Sequence, residues 1–112
     1  MITEDYCSYE VAKLLREKGF NEPVTELNKL FFKEDEKPVL KITHQKAMKW
    51  LREERNLTIE PYFEYLIGYS IDIKYTDKKT NIEQFEELRE KWFNTYEEAT
   101  EAAIKYCLEH LI

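Results

Sequence analysis

At 112 residues with 14% aromatic residues, two glycines and three prolines, the chain has the size and composition of one folded domain, residues 1–112, and not of a disordered linker. A formal net charge of −6 argues against general nucleic-acid binding, which draws its affinity from neutralising phosphates. No apolar run approaches the roughly 18 residues that span a bilayer, and the acidic start MITEDYCSYE lacks a signal peptide's basic and apolar regions, so a cytoplasmic protein is expected.

The first element is SYEVAKLLREKGF, a helix capped by Ser8 with an apolar stripe of Val11, Ala12, Leu14 and Leu15. Gly19 supplies the left-handed residue that ends it, Phe20 closes back on the last turn, and Pro23 breaks the chain. Glu26 to Lys33 reads as a strand, and Val39 to Ile42 is expected to pair back on it as a hairpin across the polar turn EDEKP. Thr43 caps a second helix ending at Asn56, with His44, Ala47, Met48 and Leu51 inward and Trp50 at the edge of that stripe.

Strict alternation follows. Leu57, Ile59, Phe63 and Tyr65, then Tyr69, Ile71, Ile73 and Tyr75, are expected on the core face of an antiparallel pair turning near Ile67 and Gly68. Thr58, Glu60, Tyr62, Glu64, Ser70, Asp72 and Lys74 fall on the other face, expected to be wet, and Pro61 marks an edge strand or a bulge. Asn81 with Gln84 resembles a capping box, and Ile82, Phe85, Leu88 and Trp92 suit a short third helix. Thr95 with Glu98 opens the last helix, which runs to Ile112 with Tyr96, Ala99, Ala103, Tyr106, Cys107 and His110 along one face. The fold class expected is α+β: a small antiparallel sheet packed on one face by the N-terminal, central and C-terminal helices.

Site chemistry is sparse. Gly19 and Gly68 are the only glycines, which excludes a phosphate-binding loop of either common type. Cys7 and Cys107 stand outside any CxxC motif and read as free thiols. Those two and the histidines His44 and His110 could converge in space, but none is paired at ligand spacing, so neither a metal nor a cofactor is expected. Cys107 and His110 lie three residues apart at a helix C-terminus, whose partial negative charge raises a thiol pKa, so Cys107 reads as core. Glu60 and Asp72 are expected to face each other across the hairpin, on the side expected to be wet, with no pocket to divide them into an acid and a base. No catalytic residue is expected.

Lys46, Lys49, Arg52 and Arg55 form a basic stripe, within a stretch from Lys41 to Arg55 that holds five basic residues and two acids. A helix with one apolar face needs a soluble one opposite, so the stripe reads first as solvated or partner-facing surface. The alternative is a nucleic-acid-associated factor gripping phosphates with these four residues. Trp50, Tyr62 and Trp92 are the candidate anchors of a protein interface. A further alternative, an acidic imitation of nucleic acid, would use Glu86, Glu87, Glu90, Glu97, Glu98 and Glu101.

Three pieces covering about half the chain, SYEVAKLLREKGF, THQKAMKWLREERNLTIEPYF and FNTYEEATEAAIKYCLEHLI, resemble a group of small uncharacterised proteins encoded by gut bacteria and their phages or prophages. Members carry a KWLRE helix, one or two strands and a TYEEA helix; the segment from Asp77 to Trp92 departs from that pattern. The resemblance implies a phage- or prophage-derived accessory or interaction protein; with no site chemistry but many Tyr and Trp residues and two oppositely charged regions, it is expected to act by binding another protein, or a second copy of itself as a dimer. The resemblance carries over no catalytic or ligand residue.

Overall fold

The computed structural model describes residues 5–22, 30–33, 36–65, 67–76, 83–87 and 93–112. Helix α1 spans Tyr9–Glu17, and Ser8 Oγ accepts the Val11 N–H at 3.2 Å. At its other end the Gly19 N–H returns to the Arg16 carbonyl and the Phe20 N–H to that of Leu15, with Gly19 at φ 110°. This double closure is the Schellman motif, and the left-handed backbone at its turning point is why glycine stands there. Strands β1 (Leu30–Phe31) and β2 (Val39–Leu40) pair antiparallel, Leu30 opposite Leu40 and Phe31 opposite Val39. The expected hairpin thus exists at its centre; residues 26–29 and 34–35 lie outside the described residues.

Helix α2 spans His44–Arg55, with Thr43 Oγ1 accepting the Lys46 N–H and Asn56 closing it at φ 58°. Asparagine tolerates this left-handed position, and the chain leaves it directly into strand β3, Leu57–Glu64. β3 pairs antiparallel with β4 (Gly68–Thr76) from Leu57 opposite Tyr75 to Glu64 opposite Gly68. Pro61 sits on this edge strand, where a missing amide donor costs no ladder bond.

The expected short helix around Phe85 is not there. Glu83–Glu87 forms a strand, β5, paired antiparallel with β4 from Thr76 opposite Glu83 to Asp72 opposite Glu87. A bare β4 edge offers a row of unpaired backbone groups, and satisfying them outweighs the small helix preference of a short acidic segment. Asn81, Ile82, Leu88 and Trp92 lie outside the described residues.

Helix α3 (Tyr96–Tyr106) opens with Thr95 Oγ1 accepting the Glu98 N–H at 3.1 Å and continues as a π-helical turn, Cys107–Leu111. Its buried Ala99 and Ala103 let the helix approach the sheet closely, while Ile104 and Leu108 fill the space beside them. The buried Thr100 hydroxyl is satisfied by the Tyr96 carbonyl at 2.9 Å. The core lies between the helices and one face of the large sheet, joining Val11 and Leu15 of α1, Ala47 and Leu51 of α2, and Leu57, Ile59, Ile71 and Ile73 of the strands. The α+β class is as expected, and the described helices lie on one face of the large sheet, as expected too. No described helix is long and apolar enough to cross a membrane.

Two facial expectations fail in part. Phe63 continues the core face of β3 but is exposed, because the helical layer stops short of the hairpin end, and Tyr65 falls past the end of β3 in the turn, exposed as well. Ser70, expected to be wet, is fully buried, and Tyr62 opposite it has a buried hydroxyl, so the second face of the sheet is covered there.

Candidate functional site

The basic stripe divides. Lys46 Nζ lies 3.0 Å from Glu22 Oε1, and Arg55 donates to the Lys18 carbonyl at the end of α1 while its guanidinium stacks 5.4 Å from the Trp50 ring. Arg55 therefore ties α2 to α1 in place of standing free. Lys46, Lys49 and Arg52 together line a shallow groove with Met48, Ile59, Pro61 and Tyr96, so only Arg55 stands apart from it. Of the candidate anchors, Trp50 is half-buried and packed edge-on against Phe20 at 5.9 Å, Tyr62 is half-buried, and Trp92 lies outside the described residues.

Cys107 and His110 make no nucleophilic pair. Cys107 is fully buried, and burial pushes its thiol up to about 12. His110 lies in the π turn and is exposed, with its ring against Tyr106, 4.8 Å between centroids. Glu60 and Asp72 are opposite in register as expected, but the Glu60 carboxylate pairs with Lys74 Nζ at 3.1 Å. The acidic set is split too: Glu97 and Glu98 are exposed, Glu101 is half-buried and engaged, Glu86 and Glu87 stand on β5 and not on a helix, and Glu90 lies outside the described residues.

What spacing concealed is a convergence of Cys7, His44 and Glu101. A backbone bridge between Tyr6 and Thr43 lays the N-terminal segment along the start of α2, with the Cys7 N–H on the Ile42 carbonyl at 2.8 Å and the His44 N–H on the Asp5 carbonyl at 2.9 Å. Glu101 reaches in from the middle of α3. Its Oε1 lies 3.1 Å from His44 Nε2, and both carboxylate oxygens accept the Ser8 N–H, at 3.0 and 3.2 Å. The thiol sulfur, an imidazole nitrogen and a carboxylate oxygen all lie within 4.8 Å of one another.

Electrostatics sort the three. Burial, and next the charge of Glu101, push the Cys7 thiol up to about 12, which makes it inert as an unassisted nucleophile. Burial also works to raise the Glu101 carboxyl, but the His44 contact and the Ser8 amide outweigh it and hold that group below its ordinary value. Cys7 and His44 are buried, while the Glu101 side chain keeps 27% exposure toward a shallow hollow walled by Tyr6, Phe93, Glu97 and Glu98.

The second site-like feature is the hairpin end. Phe63, Tyr65 and Ile67 are 58%, 80% and 53% exposed, and Tyr96 at the start of α3 is 43% exposed. The Tyr69 ring lies between two of them, 5.1 Å from Phe63 and 6.4 Å from Tyr96, and Tyr65 and Ile67 stand at the adjoining turn, giving an exposed apolar ridge at this end of the sheet. The basic groove of Lys49 and Arg52 shares Tyr96 with this ridge. A sequence signal existed: YLIGY places apolar residues at a hairpin turn, where polar turn formers are the rule. Comparison of the chain with family models, curated proteins and solved structures finds no match.

Proposed function

We propose that this chain is a non-catalytic accessory protein, of the phage or prophage kind its sequence resembles, that binds another protein through the end of the β3–β4 hairpin. The observation that carries the reading is the ridge of exposed Phe63, Tyr65, Ile67 and Tyr96, large apolar groups left outside the core, with the half-buried Tyr69 ring between Phe63 and Tyr96. Contiguous exposed apolar surface of this sort marks interaction sites, and Tyr and Phe are favoured interface residues. Lys49 and Arg52 beside Tyr96 suit a partner whose apolar patch is rimmed by acids, since complementary charge selects partners and speeds encounter. The ties of Lys46 to Glu22 and of Arg55 to α1 support reading the stripe as protein surface and not as a grip on phosphates.

The test is a photo-crosslinking amino acid placed at Tyr65 and, as a control, at Glu10 on the exposed side of α1, in cells of the native host. A discrete adduct at Tyr65 that is absent at Glu10 supports the reading; an adduct of twice the chain's mass identifies the partner as a second copy. Equal labelling at both positions, or none at either, rejects it.

A further inference from the structure

We propose that Cys7, His44 and Glu101 form a divalent-metal site, suited to zinc, whose fourth coordination position opens to the hollow beside α3. The ligand set is one sulfur, one imidazole nitrogen and one carboxylate oxygen, the donor types that zinc takes in tetrahedral sites. Zinc bond lengths of about 2.0–2.3 Å require tetrahedral edges of roughly 3.3–3.8 Å between ligand atoms. The 3.1 Å between His44 and Glu101 and the 4.8 Å limit on the whole set bracket that range, so side-chain rotations of about 1 Å complete it.

Each ligand is held from outside the cluster. Cys7 is fixed by its amide on Ile42, His44 by its place as the first residue of α2, and Glu101 by the Ser8 amide, the type of supporting contact that orients metal ligands. The three come from three separate elements, so one ion would clamp the N-terminal segment, α2 and α3 together. Glu97 and Glu98 at the mouth of the hollow add negative potential that draws a cation in. On binding, the Cys7 S–H loses its proton to solvent, and the proton that His44 Nε2 shares with Glu101 moves to Nδ1 or leaves to solvent; the sulfur, nitrogen and oxygen then donate lone pairs to the ion, and a water fills the fourth position. The inference is independent of the hairpin reading, because the ligands share no residue with the ridge.

The test uses the full chain under reducing conditions, titrated with Co²⁺ and then with Zn²⁺. The expected result is a thiolate-to-cobalt charge-transfer band with tetrahedral visible absorption, both abolished by Zn²⁺ and by Cys7→Ser. His44→Ala and Glu101→Gln are expected to weaken binding by about 100-fold or more, at least what losing an orienting partner costs. Because the chain has only two histidines, long-range proton–nitrogen spectra of the wild type give a readout that needs no variant: Zn²⁺ shifts the His44 ring nitrogens and leaves those of His110 in place. Absence of the band in the wild type, its survival in Cys7→Ser, or a zinc shift at His110 in place of His44 overturns the proposal.

Discussion

Arg55 shows at the scale of a single residue how a charge that looks available is already committed. It donates to the last turn of α1 and covers Trp50, so Arg55→Ala is expected to cost about 1 kcal/mol in urea unfolding, against a change within about 0.5 kcal/mol for Lys49→Ala. Gly68 is constrained more severely. Its φ of 126° is a glycine conformation, and an added Cβ would stand 2.8 Å from the Phe93 carbonyl oxygen that accepts the Tyr69 N–H. Gly68→Ala should therefore destabilise the fold by about 1–3 kcal/mol and lower the melting temperature, which calorimetry would read. Caps were legible at this scale, because Ser8, Thr43 and Thr95 act on amides three residues away. The Cys7–His44–Glu101 cluster was not, since His44 and Glu101 are 57 residues apart and only the tertiary fold sets their distance.

Among the elements, α3 and β5 mark where local pattern holds and where it yields. The Thr95 cap is worth about 1 kcal/mol, so Thr95→Ala should lose that much stability while Thr95→Asp keeps it. α3 was readable because its apolar face and its cap lie within one continuous stretch. β5 was hidden because what makes Glu83–Glu87 a strand is the open edge of β4, a partner remote from the segment's own propensities. The π turn at Cys107–Leu111 was equally hidden, since nothing in helical periodicity announces one wider turn. It keeps Cys107 and Leu108 both buried, and with its thiol pushed up to about 12, Cys107 should react with an alkylating reagent at neutral pH only as fast as α3 opens. Labelling that accelerates in parallel with amide exchange of α3 would bear this out, and immediate labelling of the folded protein would refute it.

Over the whole molecule, the helical layer and the sheet differ in extent, and that mismatch produces the exposed ridge. Alternation assigned Phe63 to the face shared with Leu57 and Ile59, as the register has it, but periodicity gives the phase of a strand and not where it ends, at Glu64 before Tyr65, or how far its neighbours reach. The one-sided α+β architecture was readable because three amphipathic helices and an alternating pair of strands need one another's apolar faces. If the hairpin end is the binding surface proposed above, stability and binding reside in different parts of the molecule. The most direct measurement pairs urea unfolding with partner retention for the variant Phe63→Ser, Tyr65→Ser, Ile67→Ser. Unfolding free energy within about 1 kcal/mol of the wild type together with loss of the partner captured at Tyr65 is the predicted result, since exposed side chains contribute little to the core. Partner retention unchanged in a folded variant would contradict it.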